Sequence, residues 1–93
     1  MRFQDKVVIV TGGASGIGLA VAKRFASEGA RLVLADMNQE NLDKAVPEVK
    51  AAGAPEAWAS VCNVAIEAQV EATVTGALER FGRLDVIVNN AGL

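Results

Sequence analysis

Four short apolar runs alternate with three longer segments of helical periodicity along the chain. The first run, Val7–Val10, is unbroken and β-branched, which is typical of a strand buried on both faces. Leu32–Ala35 and Leu84–Val88 follow the same pattern, whereas Trp58–Cys62 is less apolar and suits a sheet edge. The alternation predicts the order β-α-β-α-β-α-β, and therefore an α/β fold with a parallel sheet and helices on both faces.

Three helices are predicted between these strands. One begins near Ser15 or Gly16 and ends at Gly29, one follows an Asn38 N-cap, and one runs from about Ile66 to Phe81. Apolar residues at helical spacing predict the buried faces, which are Ile17, Ala20, Val21 and Phe25, then Leu42, Ala45, Val46 and Val49, then Val70, Val74, Ala77, Leu78 and Phe81. Pro47 predicts a bend or a restart of the second helix, because a mid-helix proline costs about 3 kcal/mol.

A parallel sheet of this kind has right-handed crossovers, and in nucleotide-binding sheets its strand order is 3-2-1-4. The switch point then lies between strands one and four, so the loops that follow these two strands flank one crevice. All 93 residues fit a single small domain.

Residues 11–18 read TGGASGIG directly after the first strand. Gly12, Gly16 and Gly18 fall where a buried strand turns into a helix, which leaves backbone N–H groups unpaired at the positive end of the helix dipole. Such a site suits a phosphate or pyrophosphate. The spacing is not G-x-G-x-x-G, and Leu19 follows the last glycine where a Walker A loop has lysine. An ordinary strand-to-helix turn is the alternative interpretation of the glycines.

Asp36 ends the second strand, 18 positions after Gly18. A carboxylate there can accept hydrogen bonds from both hydroxyls of an adenosine ribose and would repel a 2′-phosphate. Ala14, Ser15 and Met37 are uncharged and offer that phosphate no partner, so the pattern favours NAD over NADP. The alternative is an acidic residue that merely ends a strand.

Asparagines follow the third and fourth strands. Asn63, next to Val64, could contact an adenine amino group, but it could equally be a turn or cap residue. Asn89 and Asn90 could tie adjacent loops together or line a ligand site, and the small residues Ala91 and Gly92 leave room beside them.

Composition narrows the function classes. The chain is 52% hydrophobic and 22% charged with a net charge of -2, so it lacks the basic footprint of a nucleic-acid-binding protein. It has no histidine and no tyrosine. Its single cysteine, Cys62, has no intrachain disulfide partner and is predicted to lie in the core. No apolar run approaches the length of a membrane span, and a cytoplasmic protein is expected.

Taken together, TGGASGIG, a strand-terminal Asp36, Asn63-Val64 and the sequence NNAG at residues 89–92 resemble the N-terminal part of the short-chain dehydrogenase/reductase family. The resemblance covers the whole chain and implies a partial Rossmann-type sheet. It also implies NAD as cofactor, bound by Gly12, Ser15, Gly16, Ile17 and Gly18 at the pyrophosphate and ribose, by Asp36 at the adenosine ribose, by Asn63 and Val64 at the adenine, and by Asn90, Ala91 and Gly92 along the crevice.

The chain departs from the family at two positions. Many members have Asp where Asn63 stands, and many have Ser or Thr where Ala65 stands, so the third helix is expected to start less firmly. The resemblance assigns Asn89 to stabilising the central sheet.

The family transfers hydride between a nicotinamide cofactor and an alcohol or carbonyl, using a Tyr-x-x-x-Lys segment that lies beyond the fourth strand. The chain has no tyrosine, so the resemblance implies a cofactor-binding portion that does not catalyse alone, either a fragment or a half completed by another chain. A stand-alone NAD or adenine-nucleotide module and a non-catalytic half-Rossmann scaffold are the alternatives. The open edge at Val86–Val88 predicts self-association or pairing with a completing chain.

Overall fold

A computed structural model describes residues 2–90 of the chain. The sequence alternation is confirmed, since four strands alternate with three helices. Their bounds are β1 (Val7–Thr11), α1 (Gly16–Ser27), β2 (Arg31–Asp36), α2 (Gln39–Ala51), β3 (Ala57–Val61), α3 (Glu67–Phe81) and β4 (Val86–Val88). Among the described residues, no helix is both long and apolar enough to cross a membrane.

The strands form one parallel sheet in the order β3-β2-β1-β4, which confirms the predicted order. Val8 of β1 lies between Leu32 of β2 and Val86 of β4, and this register aligns the carboxyl ends of the strands. All five residues of β1 are buried, as expected for the central strand of a sheet covered on both faces.

Alternate residues of the strands face two unequal cores. Val8 and Val10 point toward α1 and α2 and belong to a core cluster that includes Leu32 and Leu34. Val7 and Ile9 belong to a smaller cluster with residues of α3. Helices therefore cover both faces, as predicted, but two of them cover one face and α3 lies on the other.

The predicted buried face of α1 is wrong. The helix packs on the sheet through Gly18, Ala22 and Ala26, whose small side chains allow close approach. Ile17, expected in the core, is 76% exposed. Of the other residues predicted for this face, Ala20 is exposed, and two are only partly buried at its margin, namely Val21 and Phe25.

The predicted face of α3 is also partly wrong. Thr73 and Ala77 are its buried residues, whereas Leu78 is 46% exposed. The hydroxyl of Thr73 lies 2.8 Å from that of Ser60 on β3 and donates to the carbonyl of Gln69. Because this hydroxyl is paired, a polar residue can occupy the centre of the interface at little cost.

Helix α2 is continuous from Gln39 to Ala51 and passes through Pro47, so no restart occurs. The side chain of Asn38 accepts a hydrogen bond from the backbone N–H of Asn41 at 2.9 Å, which confirms the predicted cap. Burial of Leu42 and Val49 holds the helix against the sheet on both sides of the proline, and this burial offsets the missing hydrogen bond.

Asp85 joins the start of β4 to the start of β1. One carboxylate oxygen accepts the backbone N–H of Val7 at 2.8 Å, and Arg83 donates to both oxygens at 2.8 and 2.9 Å. The hydrogen bond from Arg83 and, after it, the one from Val7 hold the pKa of Asp85 below its ordinary value. The ionised carboxylate therefore stabilises the folded state.

This linkage predicts a specific acid sensitivity. A lowered pKa in the folded state stabilises the protein above the ordinary carboxyl pKa of 3.8, and this stabilisation is lost as the pH falls through 3.8 toward the folded value. Asp85→Asn should lower the urea midpoint at pH 7 and should flatten its decline below pH 4. Asp43→Asn, at an exposed carboxylate of α2, is the control and should do neither. If the urea midpoint of Asp85→Asn fell with pH in the same way as that of the native chain, Asp85 would not be the source of the acid sensitivity.

Candidate nucleotide-binding site

The loop between β1 and α1 begins with three amide groups that bind the end of β2. The N–H groups of Gly12 and Gly13 donate to the carbonyl of Ala35 at 2.7 and 3.3 Å. The N–H of Ala14 donates to a carboxylate oxygen of Asp36 at 3.2 Å. The first half of the loop is thus satisfied within the protein.

The next four amide groups are different. Within residues 2–90, the N–H groups of Ser15, Gly16, Ile17 and Gly18 have no hydrogen-bond partner, and the first helical bond of α1 runs from the N–H of Leu19 to the carbonyl of Ser15. Ser15 is the N-cap, and its hydroxyl makes no capping bond. These amides form the positive end of α1, and a group of this kind binds anions such as phosphate.

Glycine is required in this loop by backbone geometry and by space. Gly12 and Gly16 have φ values of 64° and 56°, in the left-handed region. A Cβ on Gly18 would collide with the carbonyl oxygen of Gly12 and would lie 2.8 Å from Nδ2 of Asn90. A Cβ on Gly13 would lie 2.8 Å from the carbonyl oxygen of Val10. Gly13 was not among the predicted site residues, although the Gly-Gly pair in the sequence was a signal for it.

Three of the predicted site residues line one cleft at the carboxyl ends of β1, β2 and β3. Gly12, Asp36 and Val64 enclose a volume of about 150 Å³ together with three residues that were not predicted for the site, namely Ala35, Met37 and Cys62. Cys62 is 3% exposed, which confirms its predicted burial, and it lies beneath the cleft as well as in the core. Of these lining residues, Asp36 carries the one carboxyl group, and none has a basic side chain.

Asp36 is held by backbone donors on both sides. One carboxylate oxygen accepts the N–H of Ala14 at 3.2 Å, and the other accepts the N–H of Asn38 at 3.1 Å. The carboxylate thus links the glycine loop to the start of α2. Each oxygen retains a lone pair for a ligand hydroxyl.

Asn63 forms a turn that leads into α3. Its side-chain oxygen accepts the N–H of Ala65 at 3.0 Å, its own N–H donates to Gln69, and its carbonyl accepts the N–H of Ile66. Ile66 is the N-cap of α3 and makes no side-chain capping bond, in keeping with the weak start expected from Ala65. Asn63 thus takes its turn role here, and its contact with an adenine stays a prediction.

The end of β4 is joined to the end of β1 by a threonine hydroxyl. Oγ1 of Thr11 accepts the N–H of Asn90 at 2.9 Å and lies 3.2 Å from the carbonyl of Val88 and 3.3 Å from Oδ1 of Asn89. Asn90 is thereby placed beside Gly18. Thr11 was not predicted for the site, although it opens the TGxxxGxG pattern. The predicted site residues Ala91 and Gly92 lie outside the described residues.

Comparison with known proteins assigns the chain to a family. The sequence pattern of the short chain dehydrogenase family matches residues 6–93. The chain belongs to the short chain dehydrogenase family. This confirms the resemblance carried by the glycine loop and the NNAG sequence.

Levodione reductase of Leifsonia aquatica is a short chain dehydrogenase relative, 50% identical over 93 residues, which are 99% of this chain and 35% of the relative. The FabG 3-oxoacyl-[acyl-carrier-protein] reductase of Thermotoga maritima is 44% identical over 94 residues, which cover 100% of this chain and 37% of the relative. The solved structure of NAD⁺-bound xylitol dehydrogenase superposes with a TM-score of 0.93 at 44% identity, over 100% of this chain and 35% of that one.

The relatives of this short chain dehydrogenase sequence are longer than the chain and share a class of cofactor. The chain spans about a third of the length of the relatives it matches. Its homologues are oxidoreductases of the NAD(P)-dependent kind, and a solved relative at 37% identity, from Brucella melitensis, is complexed with NADH. The family and the Rossmann-type architecture are therefore shown.

The crowding at Gly18 yields a matched pair of variants. Gly16→Ala has open space around the new Cβ and should cost about 1–2 kcal/mol for its left-handed backbone. Gly18→Ala carries no left-handed penalty, because the φ of Gly18 is not positive, but its Cβ must displace the carbonyl of Gly12 and the side chain of Asn90, so it should destabilise more. Urea unfolding and the NMR shift of the Asn90 side-chain amide measure both effects. The close packing around Gly18 is contradicted if Gly18→Ala costs no more stability than Gly16→Ala and leaves the Asn90 amide shift unchanged.

Proposed function

We propose that the chain is the NAD-binding portion of a short-chain oxidoreductase, which transfers a hydride between NAD(H) and an alcohol or carbonyl. The observation that carries the proposal is the group of four unpartnered amides at the start of α1, directly beside a strand-terminal carboxylate. An anion receptor next to a ribose receptor suits the pyrophosphate and the ribose of an adenosine diphosphate group.

The pyrophosphate would bind at the start of α1. Gly12, Ser15, Gly16, Ile17 and Gly18 would form its loop, with the amides of the last four as donors. Ser15, Gly16 and Ile17 are exposed, so an anion can approach their amides, and the dipole of α1 adds attraction. No side-chain cation is needed, since backbone amides carry the recognition.

The adenosine would occupy the 150 Å³ cleft, with its ribose on Asp36 and its adenine beside Val64 and Asn63. Met37, 66% exposed at the rim, would cover one side of the base. A 2′-phosphate would meet the Asp36 carboxylate and no cation among the lining residues, which favours NAD over NADP. Asn90, with Ala91 and Gly92, would continue the cofactor site toward the nicotinamide.

The chain's own residues would bind and orient the cofactor and exclude water from its phosphates. The 93 residues contain neither tyrosine nor histidine, so the proton donor to the substrate would come from residues outside them. In this proposal the open edge of β4, where Ile87 is 53% exposed, would pair with the completing segment or with a second copy. A cytoplasmic setting is part of the same proposal.

A stand-alone NAD-binding module is the second candidate. It is favoured by one observation: the hydrogen bonds that hold Gly12, Gly13, Ala14 and the Asp36 carboxylate join residues within 12–38. The binding geometry therefore does not depend on the catalytic segment. The module would hold NAD without turnover.

Titration of the chain with NAD and with NADP tests the cofactor assignment. NAD should saturate the site, and NADP should bind at least about tenfold more weakly, because the 2′-phosphate and Asp36 repel each other. Asp36→Ser should narrow this ratio. Glu40→Ala, which removes an exposed carboxylate of α2, should leave the ratio unchanged. Equal affinity of the native chain for both cofactors would contradict the assignment to NAD.

A chimera separates the oxidoreductase portion from the stand-alone module. The stretch of Leifsonia aquatica levodione reductase that aligns with this chain is replaced by residues 1–93. If the chain is the cofactor portion of such an enzyme, the chimera should reduce levodione with NADH, and the same chimera with Gly18→Ala should lose that activity. A chimera that folds and binds NADH without turnover would favour the module.

A further inference from the structure

We infer that Asp36 is a positioning residue for the pyrophosphate site as well as a ligand for the ribose. Its carboxylate fixes the first half of the glycine loop, and this fixation sets the direction of the four amides that follow. The inference rests on the proposed function for its ligand, and it concerns a contact that exists in the protein without any ligand.

The end of β2 acts as a template for the loop. Ala35 accepts two loop amides through its carbonyl, and Asp36 accepts the third through its side chain. The carboxylate is itself fixed, because its second oxygen accepts the N–H of Asn38. Asp36 therefore bridges two backbone segments, the glycine loop and the start of α2, rather than projecting freely from a strand end.

The loop cannot easily rearrange when the hydrogen bond between Ala14 and Asp36 is lost. Ala14 is 5% exposed, so its amide would have poor access to water if the carboxylate were removed. A buried N–H without a partner costs about 1–3 kcal/mol, which favours a shift of the loop. Gly13 blocks one direction of that shift, since it already packs closely against Val10 and Leu34. The displacement would pass forward to Ser15 and Gly16, where the free amides begin.

The two roles of Asp36 predict opposite signs for a ligand that has no ribose. As a charge near an anion site, Asp36 repels pyrophosphate, so neutralising it should tighten binding. As a positioning residue it holds the receptor amides in place, so removing it should weaken binding. The inference holds that the second effect is larger. A change of Asp36 that admits a 2′-phosphate would then also loosen the pyrophosphate loop.

Inorganic pyrophosphate is the probe, and Asp36→Ala, Asp36→Asn and Glu40→Ala are the variants. Asn retains a side-chain oxygen that can accept the Ala14 amide, whereas Ala does not. Calorimetry should give pyrophosphate binding about tenfold weaker in Asp36→Ala, where the positioning bond is lost. Binding should be at least as tight as in the native chain in Asp36→Asn, which keeps an acceptor and loses the charge, and unchanged in the Glu40→Ala control. A charge effect alone would instead tighten binding equally in Asp36→Ala and Asp36→Asn.

Amide hydrogen exchange in the ligand-free chain is the second measurement. The Ala14 amide should exchange about tenfold faster in Asp36→Ala than in the native chain, and Asp36→Asn should restore protection. Asp36→Ser replaces Asp36→Ala if the latter does not fold, as judged by circular dichroism.

Unchanged Ala14 exchange in Asp36→Ala, or tighter pyrophosphate binding in both substitutions, would overturn the inference. If the native chain fails to bind pyrophosphate while Ala14 exchange still rises in Asp36→Ala, the positioning contact is upheld and the proposed anion site is refuted. The two failures are therefore distinguishable.

Discussion

The turn from β1 into α1 is the constraint on which the rest of the site depends. The chain must leave a fully buried strand and enter a helix within four residues, and the amides of a buried turn need partners. The end of β2 supplies those partners for Gly12, Gly13 and Ala14. The amides after them lie in the first turn of a helix, where no carbonyl of the helix itself can accept their hydrogen bonds. The group of free amides at the positive end of α1 is therefore a consequence of how this turn is satisfied, and it requires no charged side chain.

The same turn fixes the other side of the crevice. Gly18 must pass close to Gly12, and the side-chain amide of Asn90 lies against Gly18. Asn90 is held there because Thr11, the last residue of β1, accepts its backbone amide. The carboxyl end of β1 thus holds the loops after β1 and β4 together, at the point where the strand order changes direction. A change at Thr11 or Gly18 would affect both sides of the crevice.

Local signals explain what could be predicted from the sequence. Unbroken apolar runs marked the strands, Asn38 marked the start of α2, and the alternation led to the sheet order. The buried face of α1 could not be found this way, because a helix that packs closely on a sheet does so through small residues such as Ala22 and Ala26. Large side chains such as Ile17 dominate an apolar pattern even where they face solvent. The paired hydrogen bonds of Asp36 depend on strand register and loop conformation, which no local pattern encodes.

The candidate nucleotide-binding site and the exposed edge of β4 lie on different parts of the sheet. The glycine loop and Asp36 rest on β1 and β2, over the larger core that α1 and α2 cover. The exposed Ile87 lies on β4, at the edge where α3 gives the less extensive cover. The hydrogen bonds that hold the glycine loop and the Asp36 carboxylate lie between the carboxyl ends of the first two strands, so the shape of this part of the site does not depend on the edge of β4. In the proposed function the proton donor to the substrate would come from residues outside these 93, because general acid catalysis needs a titratable group close to the reacting atom.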